Sequence, residues 1–66
     1  MKLHKQRILD ERKELVVKWE KLHAFILHSP IFPTLNQDEQ DLLKEQRYIM
    51  LRYRYVLDKR IDLFSY

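Results

Sequence analysis

Two prolines and no glycine decide the shape of this chain. Pro30 and Pro33 both fall in "HSPIFPTLN", residues 28–36, and no other strong helix breaker interrupts the sequence. A residue before proline is pushed out of the helical region, so Ser29 predicts the end of a first helix. Asn36 predicts the start of a second. Its side chain is a favoured N-cap, and Glu39 stands three residues on in a variant of the capping box. Asp38, Glu39 and Asp41 add negative charge where the helix dipole favours it. The expectation is one domain spanning 1–66, with helix one at about 2–28, a connection at 29–36 and helix two at about 37–63. Ile31, Phe32 and Leu35 make the connection apolar and predict that it packs over the closed end of a hairpin.

The apolar pattern agrees with two helices. Ile8, Leu15, Trp19, Leu22 and Ile26 share one face of helix one, and Trp19 reads as core. Glu14–Lys18 and Asp10–Lys13 have the spacing of helical ion pairs. Helix two repeats every seven residues: Leu42, Ile49, Val56 and Leu63 form one column, and Leu43, Met50, Leu57 and Phe64 the next. Gln46, Tyr53 and Arg60 run beside them. A strand reading of "RYRYV", residues 52–56, would need turn signals nearby, and none occurs for about twenty residues upstream. On a helix the alternation dissolves: Tyr53 joins the apolar face, Arg54 turns toward Asp58, and Arg52 lies near Tyr48, Tyr55 and Lys59.

Two such helices would each be about 40 Å long, and a lone pair of them has no interior. Helix two offers more apolar columns than one partner helix covers, and Val16, Phe25 and Leu27 lie off the main stripe of helix one. A chain of 66 residues without cysteine lacks disulfides to compensate. The fold class expected is all-α: a two-helix antiparallel hairpin assembling into a helical homo-oligomer.

Several function classes fall away. His4, His23 and His28 have no zinc spacing, so neither metal nor cofactor is expected. Without glycine there is no nucleophile elbow or phosphate loop, and Glu11 and Glu14 are spaced as solvated helix charges; the chain reads as no enzyme. No run of 18 apolar residues and no signal-peptide core occurs, so no membrane partner is expected. The net charge of +3, with acids interspersed on both helices and no helix-turn-helix spacing, argues against specific duplex DNA.

Charge is unevenly placed. Residues 1–28 carry seven Lys/Arg against four acids, 29–46 one against four, and 47–66 five against two. A hairpin therefore brings two basic ends together, with Lys5, Arg7 and Arg12 beside residues 52–60. The candidate ligand-binding residues are Arg7, Arg12, Tyr48, Arg52, Tyr53, Arg54, Tyr55 and Arg60. Tyrosine rings can stack on nucleobases, and arginines pair bidentately with phosphate. The plain alternative is that the tyrosines rim the core and the arginines cover them with their aliphatic stems.

The stretch "KLHAFILHSPIFPTLNQDEQDLLKEQRYIMLRYRYVLDKRI", residues 21–61, resembles a group of very short bacteriophage proteins. The spacing of Phe25, Ser29, Phe32 and Leu35, and the series Gln46, Met50, Tyr53 and Arg60, are its distinctive parts; "QRILDERKEL" upstream resembles the group's usual opening. Some similar hairpins are anti-CBASS sponges, phage proteins that sequester the cyclic oligonucleotides of bacterial immune signalling. The resemblance implies a homo-oligomer, commonly a hexamer, acting in the host cytoplasm and holding a cyclic dinucleotide or trinucleotide between protomers. The alternative function is a helical interaction module that binds and inhibits a host protein.

Overall fold

The computed structural model describes residues 2–64, with side chains from His4 onward. Its regular elements are all helical: α1 (Lys2–His28), a 3-10 turn (Phe32–Thr34) and α2 (Gln37–Asp62), within an envelope of 47 × 15 × 13 Å. Arg12 meets Asp58 and His23 meets Arg47, so eleven residues forward on α1 are eleven residues back on α2. The helices are antiparallel neighbours.

The turn is built from local side-chain bonds. The Ile31 amide donates to Ser29 Oγ at 3.1 Å, and Thr34 Oγ1 donates to the Ile31 carbonyl at 2.5 Å. Asn36 Oδ1 accepts from the Glu39 amide at 2.8 Å and caps α2. Gln40 Nε2 reaches back to the Leu35 carbonyl at 2.8 Å, satisfying backbone that the turn leaves open. Phe32 is the anchor: it is buried, edge-on to Phe25 with centroids 6.0 Å apart, and Lys44 lies 6.0 Å from its ring. Leu35 is half-buried, but Ile31 faces outward. The expectation that all three pack down is therefore corrected, because a 3-10 turn this short can aim only Phe32 squarely at the hairpin.

The core is a thin seam. Ile8 and Leu15 of α1 pack with Leu57 of α2, with Met50, Ile61 and Phe64 around them, while Ile26 is buried nearer the turn. Trp19 is half-buried and stacked on His23, with centroids 4.5 Å apart and planes 13° apart. The Leu43–Met50–Leu57–Phe64 column thus faces α1. The other column does not: Leu42 is 64 % exposed, Ile49 56 %, Val56 49 % and Leu63 75 %. Successive columns stand about 100° apart around a helix, and one neighbouring helix covers only one of them. Tyr53 stays with the uncovered side, so the hairpin itself gives it no place in the core.

Two expected ion pairs on α1, Glu14–Lys18 and Asp10–Lys13, do not close. Asp10 instead accepts from Gln6 Nε2 at 2.9 Å, and the ion pairs among the described residues gather on Asp58. An exposed pair gains little over hydration, which leaves those side chains free to stay solvated.

Candidate functional site

At about 100° per residue, the eight candidates distribute over three faces of the hairpin. The first is the seam where Arg12 crosses to α2. Its Nε donates to Asp58 Oδ1, and Arg54 Nε lies 4.0 Å from Asp58 Oδ2. One carboxylate thus holds both guanidinium groups, and an anionic ligand there would compete with it. Farther along the same seam Arg47 Nη1 lies 3.1 Å from His23 Nδ1.

The second face is the opposite side of the hairpin, where Tyr53 and Arg60 stand at the edge of the exposed apolar column and Arg7 lies on α1. All three are exposed.

The third face is the outer side of α2. Tyr48, Arg52 and Tyr55 are exposed there, one helical turn apart. The Arg52 guanidinium carbon lies 5.4 Å from the centre of the Tyr55 ring, and Lys59 Nζ is also 5.4 Å from it. The ring lies three residues after one cation and four before the other, both on its own side of the helix. Cation–π attraction on exposed surface is worth about 0.5–1 kcal/mol per contact, enough to bias where the two cations stand. This is the densest basic and aromatic grouping that the fold makes from one helix.

No single protomer brings all eight residues to one place. An open hollow on the outer side of α1 is lined by Asp10, Lys13, Glu14, Val17, Lys18 and Lys21, and includes none of them. Its mixed charges suit water more than an anion. Among the described residues no cluster of His, Asp or Glu is placed to hold a metal ion, and no helix is long and apolar enough to cross a membrane.

The chain matches the family model described as Sequestin over residues 2–63, from the start of α1 through the last turn of α2. The chain belongs to the Sequestin family. No curated protein and no solved structure matches it. The family name denotes sequestration, which suggests a non-enzymatic role for this Sequestin-family hairpin.

Two features of this Sequestin-family surface stand outside the eight candidates, although the sequence already sets Lys59 near Arg52 and leaves helix two with surplus apolar columns. Lys59 joins Arg52 at Tyr55, a partnership signalled by its position four residues after the ring. The column Leu42–Ile49–Val56–Leu63 is an uncovered apolar strip along α2, and its signal was the seven-residue period. Which of two adjacent columns is covered depends on where α1 lies, and that is tertiary information.

Proposed function

We propose that this protein is a non-enzymatic phage anti-defence factor that captures a cyclic di- or trinucleotide in the host cytoplasm as a homo-oligomer. The observation that carries the reading is the Tyr55 ring flanked by Arg52 and Lys59 on an exposed helix face, in a chain of a family named for sequestration. A flat aromatic face and nearby cations are what a nucleotide's base and phosphate require. The exposed apolar column supports assembly, since a strip of that length is unusual on a monomer. Assembly in turn supports capture, because the exposed Tyr48–Arg52–Tyr55 face offers an open surface in one chain and gains a second wall only between copies.

The energetics close only at the upper end of each contribution. A sponge acts by stoichiometry and needs tight binding: nanomolar affinity is about −12 kcal/mol. Stacking contributes about 1–3 kcal/mol per base, and charge-assisted bonds to two phosphates add to it. A pocket pre-formed by the oligomer keeps the ordering cost low. Titration calorimetry against a panel of cyclic di- and trinucleotides tests the reading. Stoichiometric binding of one member is expected; no heat from any member at tens-of-micromolar protein retires it, and a single host protein captured in its place would mark an inhibitor of that protein.

A further inference from the structure

The exposed column of α2 reads nearly the same in both directions: leucines at 42 and 63, β-branched residues at 49 and 56. Its flanks are ordered by charge. Glu45, Arg52 and Lys59 run along one side, and Gln46, Tyr53 and Arg60 along the other, all exposed. Consider a second copy's α2 laid antiparallel on this column, with Ile49 against the second copy's Val56. Leu42 then meets Leu63 at each end. Glu45 stands beside the second copy's Lys59, twice by symmetry, and Gln46 beside its Arg60. A parallel alignment would instead set one flank against the other, bringing Lys59 beside the second copy's Arg60, repulsive twice by symmetry, and leaving Glu45 beside Gln46 with no cation. The seven-residue spacing is that of a helix seam, and charged flanks select orientation in such seams.

The antiparallel register has a second consequence. The two-fold axis passes between residues 52 and 53, so Arg52 faces Arg52 across it on one flank. Tyr55 of each copy already holds its own Arg52 at 5.4 Å, and Tyr48 lies one turn back on the same face, toward the second copy's Tyr55. Two guanidinium groups side by side repel one another unless an anion lies between them.

We propose that α2 pairs antiparallel with α2 of a second copy along Leu42, Ile49, Val56 and Leu63, and that the two Arg52 side chains with Tyr48 and Tyr55 of both copies form a dianion site on the resulting two-fold axis. This deepens the capture reading and rests on it for the ligand: two phosphates and two bases related by a two-fold axis are a cyclic dinucleotide. A cyclic trinucleotide, with three phosphates, does not share that symmetry. Arg12 and Arg54, held by Asp58, and Arg7, on α1, lie outside the site.

The cysteine-free sequence makes the register directly measurable. Full-length Arg52→Cys is expected to cross-link to itself across the axis. Ile49→Cys alone should not, whereas a mixture of Ile49→Cys and Val56→Cys chains should give a cross-linked pair. Efficient self-linking by Ile49→Cys, or a wild-type mass of one chain at micromolar concentration, overturns the seam. Arg52→Gln should keep the Ile49–Val56 cross-link yet bind cyclic dinucleotide roughly a hundredfold more weakly. Unchanged affinity in Arg52→Gln, or tighter binding of a trinucleotide than of any dinucleotide, overturns the axis site. Wild-type binding of one dinucleotide per two chains supports it. Failures separate cleanly: nucleotide binding by a monomer sinks the seam and spares capture, while the expected cross-links without any nucleotide binding sink capture and the axis site.

Discussion

Arg12 of α1 donates its Nε proton to Asp58 of α2, joining the open end of the hairpin across 46 residues of sequence. The same carboxylate faces Arg54 at 4.0 Å, and each of the three side chains is about two-fifths exposed. Such a pair is heavily screened by water, so its net contribution is about 0.2–1 kcal/mol. Asp58→Ala is expected to lower the melting temperature by a few degrees, less in high salt, as followed by circular dichroism. A wild-type melting temperature in Asp58→Ala would mean that the ion pair only decorates the seam.

Among the described residues Leu57 is the one completely buried side chain, and it touches the two residues of α1 that make the rest of the core cluster, Ile8 and Leu15. Truncation to alanine there removes about 2–5 kcal/mol. In so thin a core, Leu57→Ala should unfold at sharply lower urea than wild type or lose cooperativity altogether. Leu63→Ala, at an exposed position of the neighbouring column, should leave the hairpin's own stability nearly unchanged. A similar loss from both substitutions in dilute protein would show that the covered and uncovered columns have been exchanged.

The turn was legible because its signals are local. Pro30 and Asn36 act on their own backbone, and α1 stops at His28 while Asn36 caps α2 at Glu39. The helical character of "RYRYV" was legible from period for the same reason. Ile31 was misread because composition cannot say which of three apolar turn residues points inward. Glu14 and Lys18 were misread because correct spacing permits an ion pair without making it worth closing. The candidate site was legible as chemistry but not as geometry. Arg54's link to Asp58 follows from i, i+4 spacing, whereas Arg12's arrival at that carboxylate depends on how the two helices dock.

The Asn36 side chain satisfies one of the amides that the start of α2 leaves without an intrahelical partner. Asn36→Ala should cost about 0.5–2 kcal/mol, and Asn36→Gly only a few tenths, because glycine retains the cap conformation. Thermal melts of the two variants side by side check the ordering; an alanine variant as stable as the glycine one would place the control of this end in the Phe32 anchor and the Gln40–Leu35 bond.

Tyr55 carries the capture reading, and its ring and its hydroxyl can be tested separately. Tyr55→Phe keeps the π face and should bind cyclic nucleotide within a fewfold of wild type. Tyr55→Ala removes the ring and with it about 1–3 kcal/mol of stacking, a loss of roughly tenfold to a hundredfold in affinity. It also releases Arg52 and Lys59 from their shared neighbour. Calorimetry on the two variants decides: equal affinity for both would leave stacking on this ring without a role.

The uncovered column gives the last prediction, because burial it lacks in one chain it can find only in another. Ile49 and Val56 are the centre of that strip, each about half exposed, and neither belongs to the core cluster. Replacing both by serine removes the apolar surface that association would hide while leaving Ile8, Leu15 and Leu57 untouched. Anything that binds only the folded chain raises its melting temperature with concentration, and a second folded copy is such a ligand. The wild-type melting temperature should therefore climb as protein concentration is raised, whereas the Ile49→Ser/Val56→Ser double variant should melt at one temperature throughout, with the same helical signal when dilute. A concentration-independent wild type would mean that the strip stays wet, and the convergence of basic and aromatic residues between copies would lose its physical basis.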